Sequence, residues 1–96
     1  MLPVQFRNYR PKMNAIFEAL ACPTRRKVLE QVALRVVSPA EIAAVIGVSP
    51  PTVIYHIRKL REAGLVEPYF GPSNDYIDHE AVEALRYYFD KYLGSG

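Results

Sequence analysis

The sequence predicts a mainly α-helical domain with one small β-hairpin, in the order α-α-α-α-β-β-α. The main evidence is the stretch 45–66, VIGVSPPTVIYHIRKLREAGLV, which holds both ends of one helix and the turn before it. Gly47 suits the end of the preceding helix, Ser49 can cap the next one, and Gly64 can end it. Residues 65–77 then place a Gly-Pro-Ser-Asn turn between two strand-like runs. Together these features predict a winged helix-turn-helix.

Apolar spacing and capping signals predict the remaining helices. The segment 11–21 has its large apolar residues at the i, i+3, i+4 and i+7 positions of a helix. Pro23 favours a helix start, and the tetrapeptide Ser-Pro-Ala-Glu at 38–41 has the form of a capping box. The third helix should bury its large aliphatic residues, Ile42, Val45 and Ile46. The predicted helices span 11–21, 23–34, 39–46, 50–63 and 79–93, and the predicted strands span 65–70 and 75–77.

Length and composition predict one small domain, 11–96, preceded by an N-terminal arm, 1–10. The arm is basic and is best explained as a flexible tail; contact with DNA or packing across a dimer are the alternatives. A single cysteine, Cys22, allows no internal disulfide and fits a reducing compartment. The apolar runs are too short to span a membrane and no signal-peptide pattern opens the chain, so we expect a cytoplasmic protein.

Charge is distributed unevenly along the chain. Residues 1–61 contain ten Lys and Arg against three Asp and Glu, whereas residues 62–96 contain two against seven. The formal net charge of +2 therefore combines a basic first part with an acidic second part. A basic surface of this kind suits a polyanion such as DNA.

The predicted helix 50–63 has one apolar face and one polar, basic face. Val53, Ile57 and Leu60 form the apolar stripe. Hydroxyl and aromatic groups come first on the opposite face and cations follow, which suits a helix whose N-terminal end meets bases and whose later turns pass phosphates. An ordinary amphipathic helix with a solvated basic face is the alternative. The preceding turn and the following glycine favour DNA binding.

The last predicted helix is apolar on two adjoining faces. One stripe runs through Val82, Leu85, Phe89 and Tyr92, and a second one contains alanines and Tyr88. A helix with two apolar faces is expected to pack on its own domain and on a second surface. The same helix of a second subunit would provide that surface, so we expect a homodimer.

With these elements placed, the chain resembles the ArsR-type winged-helix transcriptional regulators. The segments IFEALACPTRRKVLEQV and VSPAEIAAVIGVSPPTVIYHIRKLREAGLVE carry the resemblance, and TVIYHIRKLREAGLV is its most specific part. The resemblance implies a homodimer that binds a roughly palindromic operator, usually as a repressor. The residues themselves offer no nucleophile–base pair, phosphate loop or paired carboxylates, so neither catalysis nor a cofactor is expected. The resemblance places the dimer interface on the first and last helices.

Site residues follow from the resemblance and from the polar face of the helix 50–63. The expected DNA-binding residues are Ser49, Pro51, Thr52, Tyr55, His56, Arg58, Lys59 and Arg61, with Arg58, Lys59 and Arg61 assigned to phosphates. The expected dimer-interface residues are Ile16, Phe17, Leu85, Tyr88, Phe89 and Tyr92. His56 is left open between a DNA contact and a hydrogen bond within the motif.

Two departures from the family pattern shape the expectations. The third helix, SPAEIAAV, lacks the thiols of metal-sensing members, and the acids near His79 are better explained as helix caps, so no metal is expected. The wing, EPYFGPSNDYID, carries no cation. A winged helix that contacts other proteins and binds little DNA is therefore the alternative function. Cys22 is left open between an apolar filler and a redox sensor.

Overall fold

The computed structural model describes residues 13–34, 38–68 and 75–94, and these form five α-helices and a two-stranded antiparallel sheet. The element order is the predicted one. The elements are α1 (Met13–Leu20), α2 (Pro23–Leu34), α3 (Pro39–Ile46), α4 (Pro50–Glu62), β1 (Val66–Pro68), β2 (Asp75–Ile77) and α5 (His79–Tyr88), followed by a π-helical turn, Phe89–Leu93. The predicted arm 1–10 and the hairpin turn 71–74 lie outside the described residues.

The turn between α3 and α4 has the predicted chemistry at every position. Gly47 adopts a left-handed conformation with φ 77° and ψ 36°, and its N–H donates to the carbonyl of Ala43. Ser49 caps α4 and accepts from the N–H of Thr52, and Pro50 follows at the first helical position. The two helices meet at 112°, within the range typical of a helix-turn-helix.

Local hydrogen bonds also fix the starts of α3 and α5. Ser38 and Glu41 form a reciprocal capping box, as predicted. Asp78 caps α5, and its Oδ1 accepts from the N–H groups of Glu80 at 2.9 Å and Ala81 at 3.2 Å. Carboxylates at a helix start also interact favourably with the helix dipole. The acidic cluster before α5 therefore contains a helix cap.

Two arginines join α1 to α2 in a way that the sequence did not reveal. The Arg25 guanidinium donates to the carbonyl of Ala19 at 3.3 Å, and that of Arg26 donates to Leu20 at 2.6 Å. These carbonyls belong to the last turn of α1, where helix carbonyls lack partners within the helix. The Pro-Thr-Arg-Arg segment thus begins α2 and stabilises the end of α1.

The hydrophobic core lies where α1, α2 and α3 pack on α4. Its largest fully buried side chains are Ile16, Val28, Ile42, Val53, Leu60 and Val66. The hairpin packs beside them, with Val66 paired to Ile77 and Pro68 to Asp75. Proline at the end of a short strand leaves the rest of the ladder intact. This core holds α4 by one face and leaves its other face to solvent.

Three positions differ from the sequence expectations. Ile16, expected at the dimer interface, is fully buried inside the single chain, because it shares the inward line of α1 with Ala19. Val45, expected in the core, is 61% exposed, because Ile42 and Ala43 set the buried face of α3. The last helix changes from α to π geometry at Phe89.

Candidate nucleic-acid interface

Helix α4 presents its polar face to solvent. Its inward line consists of Val53, His56, Ile57 and Leu60. The exposed residues of α4 are Pro50, Pro51, Ile54, Tyr55, Arg58, Arg61 and Glu62. Ile54 adds an apolar group to this face, 48% exposed. The exposed face therefore combines apolar, aromatic and cationic groups along one side of the helix that follows the turn.

The first turn of α4 holds two hydroxyl groups close together. The Ser49 and Thr52 side-chain oxygens lie 2.8 Å apart, and Ser49 Oγ also accepts from the Thr52 N–H at 3.3 Å. Ser49 is exposed and Thr52 is half-buried. The cap fixes both hydroxyls at the N-terminal end of the helix, where the backbone N–H groups also carry partial positive charge.

Tyr55 is held between two neighbours on the same helix. Its ring lies edge-on to the ring of His56, with centroids 5.2 Å apart. The Lys59 ammonium lies 5.7 Å from the centroid of the Tyr55 ring, within the range of a cation–π contact. Lys59 also pairs with Glu62 at 3.6 Å. The side chain of Tyr55 is therefore positioned before any ligand binds.

His56 lies inside the domain, 8% exposed. It occupies the i+3 position of the buried stripe that begins at Val53, so the helical pattern itself accounts for the burial. Its Nδ1 atom is buried and has no hydrogen-bond partner among the described residues, and the same holds for Nε of Arg25. Burial lowers the pKa of His56 below its ordinary value of 6.5, and the nearby positive charge of Arg25 lowers that pKa further.

An aromatic surface covers the side of the domain where α1 meets the C-terminal helix. Phe17 packs edge-on against Tyr88 and Phe89, with centroid distances of 5.6 and 6.3 Å. Tyr92 lies 5.2 Å from Tyr88 and is 52% exposed, and Leu93 beside it is 68% exposed. We call Phe17, Tyr88, Phe89, Tyr92 and Leu93 the aromatic surface. It contains four of the predicted dimer-interface residues; Leu85 is half-buried against the core.

The described residues contain neither a metal-binding cluster nor a single membrane-spanning helix. No three His, Cys, Asp or Glu side chains gather closely enough there to bind a metal ion. No single helix in that part of the chain has the length and apolar character of a membrane span; α3 and α4 pass that test only as a bent pair. Cys22 is a half-buried free thiol.

Known proteins share both the sequence and the fold. Residues 22–68 match the bacterial regulatory proteins of the arsR family. The transcriptional repressor SdpR of Bacillus subtilis is 32% identical over 54 residues, a match that covers 56% of this chain and 60% of SdpR. The chain therefore matches less than two thirds of that repressor's length.

Solved structures extend the likeness beyond the helix-turn-helix. An ArsR family transcriptional regulator superposes with a TM-score of 0.75 and 26% identity, covering 88% of this chain and 90% of that one. The homodimeric winged helix-turn-helix DNA-binding domain of Mb0332 from Mycobacterium bovis gives a TM-score of 0.66 at 20% identity, covering 97% and 92% of the two chains.

The fold and the exposed face of α4 define a winged helix-turn-helix protein. Within that class, the match over 22–68 and the likeness of the whole fold to an ArsR family regulator are decisive. Over residues 22–68 the chain belongs to the arsR family of bacterial regulatory proteins, and its fold is that of an ArsR family regulator.

Proposed function

We propose that the protein is a sequence-specific transcriptional repressor that binds a roughly palindromic operator as a homodimer. The proposal rests on the exposed face of α4. This helix begins at a capped turn, and its exposed face contains Tyr55 and two arginines. Recognition helices of this kind lie in the major groove, with their N-terminal residues at the base edges. The proposed activity is binding, with no catalytic step.

The side chains on α4 divide between base contacts and phosphate contacts. Near the N-terminal end, Ser49, Pro51, Thr52 and Tyr55 are positioned for base edges, with hydroxyl groups as hydrogen-bond donors and acceptors. One to two turns later, Arg58, Lys59 and Arg61 are positioned for phosphates. The burial of His56 argues against a direct contact of its ring with DNA.

The homodimer is supported by the aromatic surface. Exposed aromatic and aliphatic groups grouped on one side of a small domain are typical of protein–protein interfaces. Mb0332 is a homodimer with this fold. Association through the aromatic surface would supply two α4 helices, and a symmetric pair of helices reads a palindromic site.

We propose repression, and not activation, of transcription because the matched relative SdpR is a transcriptional repressor. A repressor acts by occupying DNA that other proteins need, which requires no further domain. The protein would act in the cytoplasm, because bacterial DNA lies there.

Fluorescence anisotropy with a labelled random duplex tests DNA binding, and selection of bound duplexes from a random pool tests the operator. We expect binding at low salt, affinity that falls steeply as salt rises, and a selected sequence with two-fold symmetry. No binding at low salt would overturn the proposal. It would favour a winged helix that contacts proteins, a function consistent with the cation-free hairpin sequence.

A further inference from the structure

We propose that His56 is a positioning residue: its neutral ring orients Tyr55 for DNA, and protonation of that ring by acid weakens DNA binding. The inference rests on the proposed DNA-binding function of α4. It starts from two neighbouring helices, because Arg25 on α2 and His56 on α4 each bury a nitrogen that has no hydrogen-bond partner among the described residues.

Arg25 lies half-buried at the end of α1. Its guanidinium donates to the carbonyl of Ala19 through Nη1 at 3.3 Å, while Nε is buried without a partner among the described residues. Because α2 packs on α4, this positive charge lies near enough to His56 to lower the pKa of its ring. A neutral imidazole can present an unprotonated Nδ1 to a cation, whereas an imidazolium would place a second positive charge beside it.

Two carboxylates, those of Glu18 on α1 and Glu62 on α4, line the same pocket as Arg25 and Tyr55. The charged or titratable residues on α4 and its neighbours are Glu18 on α1, Arg25, Arg26, Lys27 and Glu30 on α2, Glu41 on α3, Tyr55, Arg58, Lys59, Arg61 and Glu62 on α4, and Glu67 on β1. Of these, Arg25 is the residue whose charge bears on the pKa of His56. Lys59 and Glu62 pair with each other instead.

Tyr55 connects this buried pair to the exposed face. The planes of the Tyr55 and His56 rings meet at 68°, and their centroids lie 5.2 Å apart. The histidine ring therefore packs against one side of the tyrosine ring. Repulsion between an imidazolium and Arg25 would move His56 away from α2 and change the contact between the His56 and Tyr55 rings. Tyr55 would then lose its prepared orientation, and the helix face would fit DNA less well.

The sign of the pH effect separates this role from a direct contact. A histidine that touches phosphate binds more tightly when it is protonated, because it gains a charge-assisted hydrogen bond. A positioning histidine that must stay neutral gives weaker binding in acid. The affinity should fall as pH drops through the pKa of His56, by at most about one decade per pH unit, and stay level above that pKa, because one proton is taken up on release.

The experiment is anisotropy on a selected duplex at constant ionic strength, from about pH 7.5 down to about pH 5.5. Wild type should bind at neutral pH and lose affinity in acid. His56→Gln should give a level profile, and His79→Gln, which changes the exposed histidine on α5, should keep the wild-type profile. In Arg25→Gln the loss should begin at higher pH, because the charge that opposes protonation is gone.

Each other outcome has a defined meaning. Tighter binding in acid that depends on His56 would overturn the positioning role and assign His56 to a DNA contact. A wild-type profile that stays level down to the pH at which His56 is protonated would also overturn it. Circular dichroism without DNA must show a folded chain throughout, since unfolding at the same pH would assign the effect to the whole fold. Absence of binding at neutral pH would instead overturn the proposed function, so the two failures are distinct.

Discussion

Phe17 on α1 and Tyr88 on α5 pack edge-on, with ring centroids 5.6 Å apart and planes at 66°. This contact joins two helices that are far apart in sequence, and it forms the base of the aromatic surface. Edge-to-face aromatic pairs stabilise by about 0.5–1.5 kcal/mol beyond the area that they bury. Because the pair joins α5 to α1, it positions the exposed rings beyond it for the partner of the proposed dimer.

The first prediction concerns that partner. Tyr92→Glu places a charge on the exposed part of the aromatic surface and should weaken the dimer at least tenfold, which corresponds to about 1.4 kcal/mol. Tyr92 is half exposed in the single chain, so the change should leave the fold intact. Sedimentation velocity over a concentration series measures the dissociation constant.

Leu34→Glu is the matched control for this experiment. Leu34 is 75% exposed at the end of α2 and takes no part in the aromatic surface. It should leave the dimer unchanged, because an exposed position outside an interface tolerates charge. If both variants dissociate equally, or if neither does, the interface lies elsewhere.

The second prediction concerns the phosphate contacts of α4. Arg58→Ala should reduce the steepness of the salt dependence by about one unit per subunit, since each neutralised phosphate releases about one counterion. Lys27→Ala removes an exposed cation from α2 and should leave the slope unchanged. Anisotropy titrations at several salt concentrations measure both slopes. Equal effects of the two variants would indicate that long-range charge, not contact by Arg58, drives binding.

Local features of the fold could be predicted from the sequence, and long-range ones only in part. The caps at Ser38, Ser49 and Asp78 depend on residues within a few positions, so their sequence signals were sufficient. The bonds from Arg25 to the end of α1 depend on the angle between two helices, which no local pattern specifies. The fold class was predictable because turn chemistry and apolar spacing agreed at the helix-turn-helix.

The candidate site shows the same division. The sequence placed Tyr55 and Arg58 on the exposed face, and the structure has both there. The residue type alone does not decide whether His56 is exposed or buried, because histidine is intermediate between the residues that are mostly exposed and those that are mostly buried. The i, i+3, i+4, i+7 pattern predicts that His56 is buried, because His56 occupies the i+3 position of the stripe that begins at Val53. A polar residue at an inward position of such a stripe predicts a buried polar side chain.

The third prediction separates the structural and functional roles of Ser49. Ser49→Ala removes the cap of α4 and should lower the free energy of unfolding by about 1 kcal/mol. Ser49→Asp keeps a capping oxygen, so stability should be retained, but its charge should weaken DNA binding through repulsion by phosphates. Urea unfolding and anisotropy measure the two effects. Loss of stability in both variants would mean that the hydroxyl contact with Thr52 matters more than the cap.

The fourth prediction concerns the turn before α4. Gly47→Ala should destabilise the domain by about 1 kcal/mol, because a residue with Cβ adopts φ 77° only under strain. A Cβ at this position would meet nothing within 4 Å, so the backbone alone sets the effect. Gly47→Asn should be milder, since asparagine tolerates the left-handed region. Equal losses in urea unfolding would point to a contact of the side chain instead of the backbone.

The last prediction is the pH dependence of stability. The pKa of His56 in the folded chain lies below its ordinary value of 6.5, because burial and the charge of Arg25 both oppose protonation. Between the lowered pKa and 6.5 the unfolded chain binds a proton that the folded chain does not. The free energy of unfolding is therefore unaffected by His56 above pH 6.5 and decreases as pH falls from 6.5 through the lowered pKa.

Urea unfolding across this window should show wild type losing stability toward acid, with His56→Gln losing less and His79→Gln following wild type. Carboxylates contribute their own acid dependence, and the difference between wild type and each variant removes that shared part. A His56→Gln profile parallel to wild type would mean that folding leaves the pKa of His56 where it is in the unfolded chain. In that case Arg25 would exert no effective repulsion, and the electrostatic link between α2 and α4 would be absent.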